Sequence, residues 1–375
     1  MEPGLEELKQ LYQMNNLQEL KEALDKFNST SKFDEPLAKF TTWRIGGPAD
    51  LFFQANSTKD LTLAVKKAME LQIPYTILGW GSNVLISDRG IRGLVIKNAS
   101  KDIEIKGKSD IQFTSIQEIE ARLSAVDKEK YYNFEDLDFD ESHFPPIELT
   151  VASGVYLPYL INVTIDKGIT GLQWFAGIPG TIGGAVYNNI HGGSRFFSEV
   201  VKSVNVLTEK GDFQSLPNNI LKFDYDYSIF HENKDVILSV DLVLREGDKE
   251  RARNTSIAWA TRKRLQPANS AGCCFQNIDK PTQTRLNLES NSWGYIIDKV
   301  LGLKGKVIGK AKISEKHAAF IETQPGASSN DVLNLFDTIY ETSNKRLGIT
   351  PKTEIFFIGF DHSEINKYIQ STSTN

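Results

Sequence analysis

At 375 residues, with 40% hydrophobic and 24% charged residues, the chain has the composition of a soluble globular protein and the length for two or three domains. Its 43 basic and 48 acidic residues leave a net charge of -5, which excludes general nucleic-acid binding but allows a local basic pocket for a phosphate-bearing ligand. The opening Met1-Glu-Pro-Gly-Leu lacks the features of a secretion signal, and no apolar run approaches the ~20 residues that span a bilayer, so a cytoplasmic location is expected.

In chain order, residues 1–30 read as one or two amphipathic helices, with Leu5, Leu8 and Leu11, then Leu17, Leu20 and Leu24, at helical spacing. Ser57-Thr-Lys-Asp60 reads as a capping box that opens a helix with Leu61, Val65, Ala68 and Met69 on its apolar face. Pro74 ends that helix, and short strands are expected at 75–78, 84–86 and 94–96. Residues 100–148 differ in kind, with the acidic run Phe134-Glu-Asp-Leu-Asp-Phe-Asp-Glu141 and a closing Pro145-Pro146, and read as an insertion with a solvated acidic loop. A metal site there is disfavoured, because His143 is the sole histidine beside the run. Strands at 148–151, 201–207 and 236–244 surround a helix near 156–167. A basic helix from 251 to 264 follows, then a helix from 330 to 347 that stops at Gly348, and a strand at 354–358.

Two glycine-rich turns stand out, Leu78-Gly-Trp-Gly-Ser-Asn83 and Gly177-Ile-Pro-Gly-Thr-Ile-Gly-Gly184. Glycine permits positive φ and lets backbone N–H groups approach an anionic ligand. Neither turn fits the dinucleotide fingerprint or the Walker pattern, so a cradle made by loops of two sheets is expected. The adjacent Cys273 and Cys274 are poorly placed for a mutual disulfide, which fits a reducing compartment. In Ser270-Ala-Gly-Cys273 the thiol could supply a proton or be an inert small side chain. Glu354, at the mouth of an apolar strand, could be an acid or a surface charge, and His317 reads as structural.

Thr42-Trp-Arg-Ile-Gly-Gly-Pro-Ala-Asp50, the two glycine turns, Gly294-Tyr-Ile-Ile-Asp298, Leu303-Lys-Gly305, Ile313-Ser-Glu-Lys-His-Ala318 and Gly348-Ile349 ahead of Glu354 occur in an order that resembles the UDP-N-acetylenolpyruvoylglucosamine reductase family. The resemblance covers about residues 38–360 and points to the family's shorter branch. It implies an α+β protein: a two-subdomain vanillyl-alcohol-oxidase-like FAD-binding fold plus a C-terminal α/β substrate-binding domain. The division it suggests is a helical extension 1–37, FAD subdomain 38–99, acidic insertion 100–148, second FAD subdomain 149–247, substrate domain 248–364 and a disordered tail 365–375. It also implies noncovalent FAD, NADPH as electron donor, a UDP-sugar substrate in peptidoglycan precursor synthesis, and a monomer.

On this resemblance Cys273 is the proton donor and Glu354 the acid or enolate stabiliser. FAD contacts fall on Arg44, Ile45, Gly46, Gly79, Gly81, Ser82, Asn83, Ile178, Pro179, Gly180, Gly183 and Gly184, and substrate contacts on Tyr225, Arg264 and Asn277. The family's Phe-x-Tyr-Arg-x-Ser-x-Phe appears here as Phe223-Asp-Tyr-Asp-Tyr-Ser-Ile-Phe230, so Asp226 stands at the arginine position. Reversing one charge at ~4 Å is worth several kcal/mol at an effective dielectric of about 20. Arg195 or Arg264 could replace the cation, Asp226 could point away, or turnover could be lost. Gln276 and Ala319 stand where lysine and asparagine are usual. A flavin oxidase and a non-catalytic UDP-sugar-binding protein remain the alternatives.

Overall fold

The computed structural model describes residues 5–27, 31–108, 137, 139–264 and 266–369. The chain divides into two compact units, Met1–Lys32, Phe52–Gly79 and Leu94–Arg264 in the first and Phe33–Leu51, Trp80–Gly93 and Leu265–Asn375 in the second.

The first unit is built on an antiparallel sheet in the order Phe213–Pro217, Val201–Leu207, Val236–Glu246, Pro146–Ala152 and Ile103–Lys108. Its register decides what each face carries. Val204, Val240 and Val151 align across three strands, with Leu242 opposite Leu149, and all are buried. On the other face the Asp241 carboxylate accepts hydrogen bonds from Ser203 Oγ at 2.8 Å and Asn205 Nδ2 at 3.1 Å. This is the period-two alternation of a sheet covered on one side by apolar groups. The cover includes helix Leu157–Asp166, through Leu157, Leu160, Ile161 and Ile165, together with Trp174, Phe175 and Trp259. Each large side chain fully buried there contributes about 1.5–3 kcal/mol.

The same unit carries helix Thr58–Glu70, whose N-cap Ser57 accepts from the Asp60 amide at 3.1 Å, as the sequence predicts. Strand Tyr75–Leu78 then pairs in parallel with residues 94–97. Helix Leu5–Asp25 packs on helix Thr58–Glu70, burying Leu20 and Leu24.

In the second unit, helix Ser329–Leu347 has a reciprocal capping box between Ser328 and Asp331 and a left-handed cap at Gly348, φ 65°. It buries Val332, Leu335, Phe336 and Ile339 against Phe275, Trp293 and Tyr368. A three-stranded antiparallel sheet, Val307–Ile308, Ala311–Ile313 and Ile321–Thr323, lies in the same unit. Strand Phe356–Ile358 pairs in parallel with Val84–Ile86. Among the described residues no helix is long and apolar enough to cross a membrane.

Several boundaries differ from the sequence reading. Ile103–Lys108, inside the expected insertion, is a strand of the large sheet, with a register irregularity between Ile105 and Lys108. Residues 109–136 and 138 of that insertion lie outside the described residues. Glu141, expected in a solvated loop, is 6% exposed, accepts from Gln173 Nε2 at 2.9 Å, and has its carboxyl pushed upward by burial. The tail expected to be disordered from 365 is helical over His362–Ile369, because Ile365 and Tyr368 lie three residues apart and both enter the core.

Candidate active site

In the second unit the segment after Gly272 is clamped from two sides. The Cys274 amide donates to Ala319 O at 2.9 Å, the Glu354 amide to Cys274 O at 3.0 Å, and the Gln276 amide to Lys352 O at 2.8 Å. Phe275 bridges antiparallel to Thr353. This lattice brings Cys274, the neighbour of Cys273 in the chain, alongside Glu354. Cys274 is fully buried; burial pushes its thiol well up, and the charges of Cys273 and Glu354 add to the effect. Cys273 and Glu354 themselves are half-buried, so they retain access to solvent.

Glu354 does not begin a strand, as expected, but precedes Phe356–Ile358. The reason is Asn83. Its Nδ2 donates to Glu354 O at 2.9 Å and its carbonyl accepts from the Phe356 amide at 3.1 Å, so the sheet pairing starts only beyond it. The turn containing Ser82 and Asn83 is fixed by Gly81, at φ 73°, where an added Cβ would lie 2.1 Å from Phe40 O. Gly81 O also accepts from the Thr42 amide at 3.0 Å. Thus Arg44, Ile45 and Gly46 follow directly on a segment bonded to the first glycine turn. Ile45 is buried, while Arg44 is exposed, with Nη1 donating to Lys39 O at 2.9 Å. Asn277 is exposed on the loop beyond the clamp. His317 is a packing group: its ring lies where a Cβ on Gly294 would go, and Nδ1 accepts from the Ala319 amide at 3.3 Å.

In the first unit Gly79 meets the second glycine loop, since a Cβ there would lie 2.8 Å from Thr181 Oγ1. Lys97, which the sequence reading passes over, donates from Nζ to Gly79 O, and burial pushes its ammonium down to about 8. A lysine ending the apolar run 94–96 is the signal that could have found it. The second loop corrects a simpler expectation. The Ile182 and Gly183 amides donate to Val155 O at 2.9 Å and Ser153 O at 2.7 Å, and the Gly184 amide donates to Thr181 Oγ1 at 3.3 Å. These amides serve the fold, and Gly183 is small because a Cβ would press on Ser153 at 3.0 Å. The Ile178 amide likewise donates to Phe175 O, at 3.2 Å, and Pro179 has no amide hydrogen. Gly180 is different. Its amide donates to none of the described residues, and nothing lies within 4 Å of its would-be Cβ. Gly180 therefore offers an open backbone donor here, beside close-packed glycines that keep the loop thin.

The family model described as UDP-N-acetylenolpyruvoylglucosamine reductase, C-terminal domain, matches residues 265–358, and a FAD binding domain model matches residues 142–216. The reductase of that name from Pediococcus pentosaceus is 33% identical over 329 residues, 87% of this chain and 93% of that one. The Bacillus subtilis reductase is 33% identical over 335 residues, again 87% and 93%. The chain belongs to the UDP-N-acetylenolpyruvoylglucosamine reductase family. A crystal structure of the Thermus caldophilus family member superposes with a TM-score of 0.62 at 25% identity, covering 88% of this chain and 98% of that one. The family's C-terminal model takes in Cys273, His317 and Glu354, and the FAD model takes in the second glycine loop.

Where the family's motif has arginine, Asp226 sits at φ 51° in a tight turn closed by reciprocal Asp224–Tyr227 backbone hydrogen bonds at 3.1 and 3.2 Å. Tyr225 lies beside it, its ring centroid 5.2 Å from that of His191. Arg195, a candidate replacement cation, is committed elsewhere: it lies over Trp174 at 5.0 Å, donates to Phe139 O at 3.2 Å and pairs with Glu199 at 3.4 Å. Arg264 closes helix Lys249–Arg264, and its side chain lies outside the description. The side chain that does meet Asp226 is His191, with Nδ1 3.6 Å from Oδ1. No spacing in the sequence signals that pairing.

Proposed function

We propose that this chain reduces UDP-N-acetylglucosamine enolpyruvate to UDP-N-acetylmuramate in peptidoglycan precursor synthesis, as a cytoplasmic monomer carrying noncovalent FAD. Bound FAD supplies the hydride chemistry, taking electrons from NADPH. The observation that carries this reading is the backbone clamp that holds the segment following Cys273 against Glu354, together with the family membership.

Addition of hydride to the outer vinyl carbon leaves enolate-like charge beside the substrate carboxylate. Cys273 protonates the inner carbon; a thiol, with an ordinary pKa of about 8.5, is a stronger acid than the serine that can fill the same place. Glu354 stabilises the developing charge as a hydrogen-bond donor in its protonated form. Residues 44–46, Gly79, residues 81–83 and the second loop, with the open Gly180 amide, are the FAD contacts in this reading. Tyr225, Arg264 and Asn277 contact substrate. The chain then falls functionally into FAD-binding segments 38–99 and 149–247 and a substrate segment 248–364, with 1–37 as an addition and 100–148 tied to the large sheet through Ile103–Lys108.

An anaerobic spectrum tests it. The purified protein should show flavin absorbance, bleach with NADPH, and recover with the enolpyruvyl sugar as UDP-N-acetylmuramate forms. Asp226 favours a second reading, ligand binding without turnover. Bleaching without recovery would decide for that one, and recovery driven by oxygen alone would indicate an oxidase.

A further inference from the structure

The turn 224–227 is bolted to the end of the second glycine loop. Asn189 Nδ2 donates to Asp224 O at 2.9 Å, and Ser228 Oγ donates to Tyr187 O at 2.6 Å. At this junction two buried polar atoms have no hydrogen-bond partner among the described residues, His191 Nδ1 and Asp226 Oδ2. The two side chains face each other at 3.6 Å, within ion-pair range but beyond a hydrogen bond. A buried polar atom left without a partner is costly, so the two side chains have reason to stay together. Asp226 has one other histidine close enough to feel its charge, His231, whose imidazole is pushed down by burial.

His191 is packed by Tyr225 and Phe196, at ring-centroid distances of 5.2 and 5.7 Å, which fix the ring plane. Its Nδ1 is buried beside Asp226, while the side chain as a whole is 30% exposed. An imidazole held in this way, with Nδ1 toward Asp226, has Nε2 as its second ring nitrogen, which can carry the N–H that meets an anionic oxygen.

We propose that His191, oriented by Asp226, is a substrate-binding hydrogen-bond donor of this enzyme, donating from Nε2 to an anionic oxygen of the UDP-sugar. Asp226 is a positioning residue that acts through His191. The inference rests on the reductase reading given above and extends it to residues that the motif comparison left without a role.

The test compares ligand binding with turnover. H191A should weaken binding of the enolpyruvyl sugar by about ten- to a hundredfold, the range for losing a charge-assisted hydrogen bond, while NADPH still bleaches the flavin at the wild-type rate. H191Q, which keeps a neutral donor, should recover part of that loss. D226N should act in the same direction more weakly, and H191A/D226N should be no worse than H191A, since the carboxylate works through the ring. Binding of UDP-N-acetylglucosamine, which lacks the enolpyruvyl carboxylate, separates the sources: an unchanged affinity assigns His191 to the carboxylate, a parallel loss to the pyrophosphate. Wild-type affinity for both ligands in an H191A protein with normal flavin bleaching overturns the proposal alone. A wild-type enzyme that cannot turn over the enolpyruvyl sugar overturns the reductase reading and this proposal with it.

Discussion

The residues around Cys273 and those around Asp226 belong to the same family motif set, yet they are held in different ways. The thiol step is locked by three backbone hydrogen bonds from two directions and by the aromatic cluster of Phe275, Trp293 and Phe336. The Asp226 turn hangs on a tight hairpin and two side-chain bonds to the glycine loop. In the first case the frame holds Cys274, Phe275 and Gln276 directly and so limits where the preceding Cys273 can lie. In the second the frame fixes only the backbone, and the charge at the tip can change sign if a neighbour compensates. Family motifs therefore carry unequal weight: a residue inside a lattice of backbone bonds keeps its chemistry more reliably than one on a turn.

The contrast can be broken most sharply at Cys273. Cys273→Ala should lower turnover by about 10²–10⁴-fold, the usual range for a lost proton donor, while leaving substrate binding and flavin bleaching intact. Rapid-mixing absorbance separates the two half-reactions, and undiminished turnover would remove Cys273 from the mechanism.

The frame beneath it comes next. Phe275→Ala should destabilise the second unit by about 3–5 kcal/mol, because it empties the centre of an aromatic cluster. Denaturant unfolding measures this, and a loss under about 1 kcal/mol would mean the clamp does not depend on that packing.

The glycine loops provide a paired test. Gly81→Ala faces both positive φ and a carbonyl 2.1 Å away, and should cost about 2 kcal/mol or more. Gly180→Ala has open space around it and should stay within about 0.5 kcal/mol of the parent in stability, while weakening FAD retention. Equal thermal shifts in the two variants would contradict the distinction between packing glycines and access glycines.

Smallest is a pH effect at Lys97. Its folded-state value is about 8 against 10.5 in the unfolded chain. Between those values the unfolded chain binds more protons, so this group makes stability rise with pH across that window. Below about pH 8 both states are protonated and the burial penalty is fully expressed. Unfolding midpoints at pH 8 and 10 should therefore differ less in Lys97→Met than in the parent, and identical slopes would discount the buried ammonium.

Local signals were the ones a linear reading could use. Ser57 with Asp60 and the stop at Gly348 both cap the helices they announce. The glycine turns were equally visible, although glycine alone does not say whether a missing Cβ serves a ligand or a neighbour. Gly183 serves Ser153, and Gly180 is open. Strand Ile103–Lys108 has an alternating start in Ile-Glu-Ile-Lys, but the acidic composition that follows disguised it, and Gly107 with its irregular register weakened the pattern. His191 carried no signal at all, because its meaning depends on a carboxylate thirty-five residues away.

The sequence by itself determined the family and the helix ends, since these are written in residue type and near-neighbour spacing. Only the tertiary structure decided that Asn83 would bracket Glu354 across 271 residues, that Cys274 rather than Cys273 would be sealed in the core, and that Asp226 would face a histidine. Hydrogen bonds and ion pairs act over a few ångströms, and which distant residues come within that range is set by the packing of whole sheets and helices.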